Sequence, residues 1–455
     1  MRGSQNAGRG HRLSGASKDK ERVASLVDQK GSQMIRFLQE LVMTPSISGT
    51  EGEGNAQRLV VKELQQIDGL TLDIWEPDPE ELKTYPLYPV RLGSHDYEKR
   101  PNVVGTLKGT GGSGSLILNG HIDCVSPEPV EGWKHDPWGA KIHDGRLYGR
   151  GAYDMKAGIV AMLYALKCIR EAEIKLKGDL ILESVVEEET GSGGTISTLV
   201  RGYKADAAIV TEGTGTDRIC IGAGGTRWFT IRVLGKSESP DQAQNGVNAI
   251  GLAGKIYGAL MKLDDNRNER LRGKHRLFES PKYATMGAPR RPTDMTLGIL
   301  KAGDAPDTVA GWAELQGRVG FPPSETGEEV MKEIEDTVRN VGSEDPWMRD
   351  HLPTIRWFGS RKEGYRLDPE TPIVQTLKRN VERITKKDCE LYGDASCSDA
   401  NHFIPKLGPY GGIPAPWYGP GGAHAHAADE YVIMDEVFSV TKALALTIMD
   451  WCRAE

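Results

Sequence analysis

Residues 115–123 read Ser115-Leu116-Ile117-Leu118-Asn119-Gly120-His121-Ile122-Asp123. The apolar run from Ser115 to Leu118 predicts a short strand buried on both faces. A histidine and an aspartate follow it at i and i+2. In extended chain those positions face the same side. His121 and Asp123 therefore point together out of the carboxyl end of the strand, where open α/β sheets place their ligands. A histidine that binds a metal usually has a carboxylate behind it to orient the ring.

The surroundings repeat this pattern. Residues 155–172 predict a helix rich in Ala, Leu and Ile, and residues 179–186 and 205–211 predict two more apolar strands. Uniformly apolar strands separated by helices argue for an α/β domain with both sheet faces covered. Acidic residues cluster at the same edge. Asp154 lies in the glycine-rich turn Gly149-Arg150-Gly151-Ala152-Tyr153-Asp154 that opens the helix. It reads either as a helix cap or as a ligand. Glu187-Glu188-Glu189 ends the second strand, and three adjacent carboxylates repel one another unless solvent or a dication relieves them. Glu212 ends the third strand. A final histidine pair, His424 and His426, sits in the glycine-rich stretch 419–430.

The rest of the chain divides around this core. Residues 24–42 and 57–67 predict helices, and the proline-containing segment 68–104 reads as irregular. From about residue 225 the strands alternate, with one polar face, at 227–233, 294–300 and 313–319, and helices are predicted at 247–263 and 328–341. That pattern suggests a small α+β domain. After Pro353 the chain returns to apolar segments and ends in a helix at 435–452. The expected architecture is α/β: a large catalytic domain, with a mostly parallel central sheet flanked by helices, interrupted by a smaller α+β domain. The divisions are a flexible tail at 1–22, catalytic domain at 23–224, inserted domain at 225–340 and catalytic domain again at 341–455.

Composition excludes several functions. The 455 residues are 38% hydrophobic and 27% charged, which fits a folded soluble protein rather than a disordered one. The net charge of −7 argues against a basic nucleic-acid surface. No apolar run approaches the roughly 18 residues that span a bilayer, so no membrane partner is expected. The N-terminus lacks the apolar core of a secretory signal. The six cysteines are scattered with no CxxC pair, which reads as reduced thiols in the cytoplasm. Glycine is abundant, at 55 residues, and implies tight turns and close backbone approaches.

With these motifs in order from about residue 30 to the C-terminus, the sequence resembles the aminoacylase, carboxypeptidase G, acetylornithine deacetylase and succinyl-diaminopimelate desuccinylase metallohydrolases. The resemblance implies two divalent ions, zinc first, with manganese or cobalt also suited to nitrogen and oxygen ligands. It implies that His121 and Glu212 hold one ion, that Glu189 and His426 hold the other, and that Asp154 bridges them. Asp123 orients His121, and Glu188 is the general base. His426 is preferred to His424 because it precedes Glu430-Tyr431-Val432 by the family's spacing; Glu430 anchors that loop. The reaction implied is hydrolysis of a C–N bond in a small substrate, as in an N-acyl amino acid deacylase or dipeptidase. The inserted domain is implied to be a lid through which a homodimer forms.

Two positions depart from the family pattern. The lid histidine that stabilises the oxyanion falls seven residues before Gly246, where this chain has Ser239. Candidate substitutes are Asn248, His275, Arg290 and Arg291. Many relatives carry an arginine that grips a substrate carboxylate where Asn401 stands. These departures leave three readings: amide hydrolysis with a substitute donor, hydrolytic deamination of an activated aromatic amine as in the family's 5-nitroanthranilate aminohydrolase branch, or an inactive metal-binding relative. In the second reading charge spreads into the ring, and Arg290 and Arg291 stabilise it.

Overall fold

The computed structural model describes residues 6–89, 96–275, 277 and 291–454, with side chains from residue 17 onward. Its central five-stranded sheet has the spatial order Leu70–Trp75, Asn102–Leu107, Leu180–Val185, Leu116–His121, Ala207–Val210. Leu116–His121 pairs in parallel with both of its neighbours, whereas the two strands at the far edge are antiparallel. The sheet is therefore mixed, and its parallel centre carries the strand ends of interest. Every residue of Leu116–His121 and of Leu180–Val185 is buried. Burial on both faces explains why these strands read as continuous apolar runs.

Helix Ala157–Glu171 covers the sheet and packs on the C-terminal helix Met434–Trp451. Gly158 permits the close approach. A Cβ there would lie 2.0 Å from the carbonyl oxygen of Thr211, the residue before Glu212. Any side chain at position 158 would push the helix off the strand end that presents Glu212.

The segment expected to be irregular contains strand Leu70–Trp75 and the start of Asn102–Leu107, which pair antiparallel. The outer strand is half-exposed and short, so its apolar residues show no buried run. Nor is the N-terminus a tail throughout 1–22. A helix spans Asn6–Gln29, Val23 and Val27 are fully buried, and Lys20 pairs with Asp450.

The smaller unit is a four-stranded antiparallel sheet of spatial order Met295–Ala302, Trp312–Phe321, Gly225–Leu234, Thr354–Lys362. Helices Ala249–Leu271 and Gly327–Glu344 complete it, around a core that includes Phe229, Ile231, Ile256, Leu260 and Ile334. Thr326 and Glu329 form a reciprocal capping box that starts the second helix. The sheet extends beyond the expected boundary at 340, because its fourth strand lies at Thr354–Lys362. That strand pairs with Gly225–Leu234, more than a hundred residues earlier, a long-range pairing that local periodicity does not reveal.

Candidate metal centre

His121 is the last residue of its strand, and its ring is 1% exposed. Nδ1 lies 3.0 Å from the backbone oxygen of Asp123. That contact turns Nε2 outward, 3.2 Å from Asp154 Oδ1 and 3.6 Å from Glu212 Oε1. The Asp123 carboxylate stands 3.5 Å from Nδ1 and accepts the backbone N–H groups of Glu188 and Glu189 at 3.0 and 3.1 Å. It thus ties the acidic turn to the histidine strand as well as backing the ring.

Asp154 is no helix cap. It sits in an irregular turn with φ −117° and ψ 92°, before regular helix begins at Ala157. The buried Glu430 carboxylate holds this turn by accepting N–H groups from Gly151, Tyr153 and Asp154 at 3.0–3.1 Å, and it pairs with Arg150 at 2.7 Å. Gly151 has φ 79°, which favours glycine at that corner. So held, Asp154 places Oδ2 3.3 Å from Nε2 of His426, and the same nitrogen lies 2.9 Å from Glu189 Oε2. His424 turns away, with Nδ1 3.1 Å from the backbone oxygen of Ala428.

The electrostatics of this cluster fit divalent ions. Burial, and then the charge of Asp154, push Glu189 up to about 7 and Glu212 up to about 8. Burial would also raise Asp154, but hydrogen bonds from His121 and His426 hold it below the usual carboxylate range. Glu189 chiefly, with Asp154 and against burial, pushes His426 up to about 11. Carboxylates crowded in this way, with two imidazoles between them, are relieved by dications. One atom of each of His121, Asp154 and Glu189 lies within 4.8 Å of the others, and Glu189 Oε1 is buried without a hydrogen-bond partner. Imidazole nitrogen with carboxylate oxygen is a donor set suited to zinc and its neighbours.

Glu188 stands beside this cluster but outside its contacts. Its Oε1 accepts from Nζ of Lys362 at 2.5 Å, and both side chains are buried. Lys362 was not found by sequence reasoning. It ends a strand of the small sheet that lies beyond the expected domain boundary at 340, and nothing in its sequence neighbours marks it. Both residues line a cavity of about 520 Å³ with Asp154, Glu189, Glu212 and His426, walled further by Trp228, Arg318 and Trp417.

Those of the expected substrate contacts that are described lie outside this cavity. Ser239 is exposed and donates to Asp241 at 2.7 Å. Asn248 caps its helix by accepting from Ile250 N at 2.9 Å. Arg291 pairs with Asp264 at 3.2 Å and Asp265 at 2.9 Å. Asn401 is buried, and its amide donates to the backbone oxygens of Gly224 and Glu363 at 2.9 and 2.8 Å, so it serves the backbone. His275 lies 3.0 Å from the Ser324 hydroxyl. Arg290 falls outside the described residues.

A histidine–carboxylate cluster at the ends of parallel strands, faced by a small α+β domain, is the arrangement of a metal-dependent hydrolase. The chain belongs to peptidase family M20/M25/M40, whose model matches residues 117–450. It is 32% identical over 449 residues to an N-formyl-4-amino-5-aminomethyl-2-methylpyrimidine deformylase of Bacillus subtilis, covering 94% of this chain and 96% of that protein. It is 28% identical to acetylornithine deacetylase of Salmonella typhimurium, covering 88% and 92%. The fold is shared with human carnosine dipeptidase 1, at a TM-score of 0.73 and 16% identity, covering 95% of this chain and 100% of that one. No helix among the described residues is long and apolar enough to cross a membrane.

Proposed function

We propose that the protein hydrolyses the amide of a small N-formyl or N-acyl amine carried on a flat ring, with two divalent ions. His121 and Glu212 hold one ion, His426 and Glu189 the other, and Asp154 lies between them. Zinc is the first choice, with manganese or cobalt fitting the same donors. The observation that carries this reading is the placement of Glu188: inside the cavity, next to the ligand cluster, yet engaged with Lys362. The ions supply polarisation of water and of the substrate carbonyl. Glu188 takes the proton of the attacking water and delivers it to the leaving nitrogen.

The flat ring is supported by the aromatic walls Trp228, Trp417 and Tyr153. It is also supported by the likeness to the pyrimidine deformylase, which spans nearly the whole of both chains. Asn401 is committed to the backbone, so the cavity lacks the carboxylate grip of an amino-acid deacylase at that position. Amide hydrolysis is favoured over ring deamination because Arg291 faces Asp264 and Asp265 rather than the cavity.

The test is product analysis. Metal-loaded protein is assayed against N-formyl and N-acetyl aminomethyl heterocycles, N-acyl amino acids, dipeptides and nitroanthranilates. The expected result is formate or another short carboxylate in one-to-one ratio with free amine. Ammonia without any carboxylate would overturn the reading in favour of deamination.

We also infer a homodimer formed through the lid. Ile250, Tyr257, Ile299 and Leu300 are between 47% and 56% exposed on its helix and edge strand, apolar side chains that a second copy would cover. Light scattering is expected to give twice the mass of one chain; the mass of a single chain would contradict the inference.

A further inference from the structure

The lid strand Thr354–Lys362 ends on a lysine that the metal-hydrolase reading leaves without a task. Its Nζ crosses from the lid to Glu188 at 2.5 Å, and its side chain is 2% exposed. The chain around it is clamped. Arg227 donates to the backbone oxygen of Lys362 at 2.9 Å and pairs with Glu363, which in turn accepts the N–H of Gly327 at 3.1 Å. Burial works against a charge on Lys362, but Glu188 first, then Cys397 and Asp399, hold it well above the usual lysine range. Among the described residues Glu188 is its hydrogen-bond acceptor, and an ammonium carries three donors. Lys362 lines the same cavity as the ligand cluster.

Resting on the amide-hydrolase reading above, we propose that Lys362 is a catalytic residue whose ammonium stabilises the oxyanion formed at the amide carbonyl, the task for which the lid loop at Ser239 offers no histidine. The charges balance along the reaction. In the resting site the ammonium is paired with the Glu188 carboxylate. Water gives its proton to that carboxylate, which becomes neutral. The water oxygen bonds to the acyl carbon, and the carbonyl π pair moves onto the carbonyl oxygen. The negative charge has then passed from Glu188 to the oxyanion, and the ammonium that lost its first partner turns to the second. When the C–N bond breaks, the pair returns to re-form the carbonyl. Glu188 hands its proton to the leaving nitrogen, and its carboxylate recovers Lys362. A donor used this way acts mainly in the transition state, where binding energy raises turnover.

The test compares zinc-loaded wild-type protein with Lys362→Met and Lys362→Arg. Two quantities are read: turnover of an N-formyl amine, and calorimetric binding of methylphosphonate, a tetrahedral anion. Lys362→Met is expected to lower kcat by about 10²–10³-fold with KM within about threefold. It should weaken methylphosphonate binding at least about tenfold, with zinc content unchanged; Lys362→Arg should keep that binding within about threefold. A folded Lys362→Met protein that binds methylphosphonate like the wild type, or that loses KM rather than kcat, overturns the proposal. Should Lys362→Met not fold, Lys362→Arg decides. Retained methylphosphonate binding supports the role of the charge, and its loss in a folded, zinc-loaded protein overturns it. Absence of amide cleavage by the wild-type protein overturns the amide-hydrolase reading instead. The two failures are told apart because the methylphosphonate titration needs no turnover.

Discussion

Glu188→Gln is expected to leave the protein folded and fully metal-loaded while lowering kcat by about 10²–10⁴-fold. Glutamine keeps the size of the side chain and an oxygen that can still accept from Lys362, which reaches Glu188 at 2.5 Å. It cannot take a proton from water. Glu188 makes no contact with His121, His426 or Asp154 of the kind Glu189 and Glu212 make, so its loss should not cost an ion. Elemental analysis of the variant beside its steady-state kinetics checks both halves. Normal turnover would remove Glu188 from the role of base; lost metal would make it a ligand.

Asp154→Ala is expected to act on the metals themselves. Asp154 stands between the two histidines, 3.2 Å from one and 3.3 Å from the other. Removing it takes a donor from both ions, so the metal content should fall from two per chain to one or fewer. The loss in kcat/KM should exceed the 10–100-fold that removal of an outer-shell partner typically costs. Thermal melts separate this from simple unfolding. An ion present at about a hundredfold excess over its dissociation constant stabilises the native state by about 2.7 kcal/mol. Wild-type protein should therefore melt higher on adding zinc, and the variant should respond much less. An Asp154→Ala protein that keeps two ions and full activity would remove Asp154 from the centre.

How much of this was legible in the sequence depends on where each residue lies. His121, Glu189 and Glu212 stand at or just beyond the ends of buried strands, and those strands show as apolar runs because both faces are covered. Asp154 and His426 lie in glycine-rich turns, and it is the Glu430 hydrogen bonds, visible in the fold alone, that hold Asp154 in place. Strand Leu70–Trp75 is not legible because an edge strand with mixed exposure shows no apolar run. Lys362 is not legible for a different reason: its partner is 174 positions away, and only the folding of the lid over the sheet brings them together. The expected substitutes for the lid histidine, Asn248, His275, Arg290 and Arg291, all precede the strand Thr354–Lys362, whereas the lysine that reaches Glu188 ends that strand.

Titration of metal-free protein with zinc, followed by elemental analysis of the saturated sample, tests the central claim most directly. Two ions per chain are expected, with hydrolysis of an N-formyl amine appearing as the ions bind. Saturation with no ion in this cluster, or amide hydrolysis undiminished in the metal-free protein, would contradict the account.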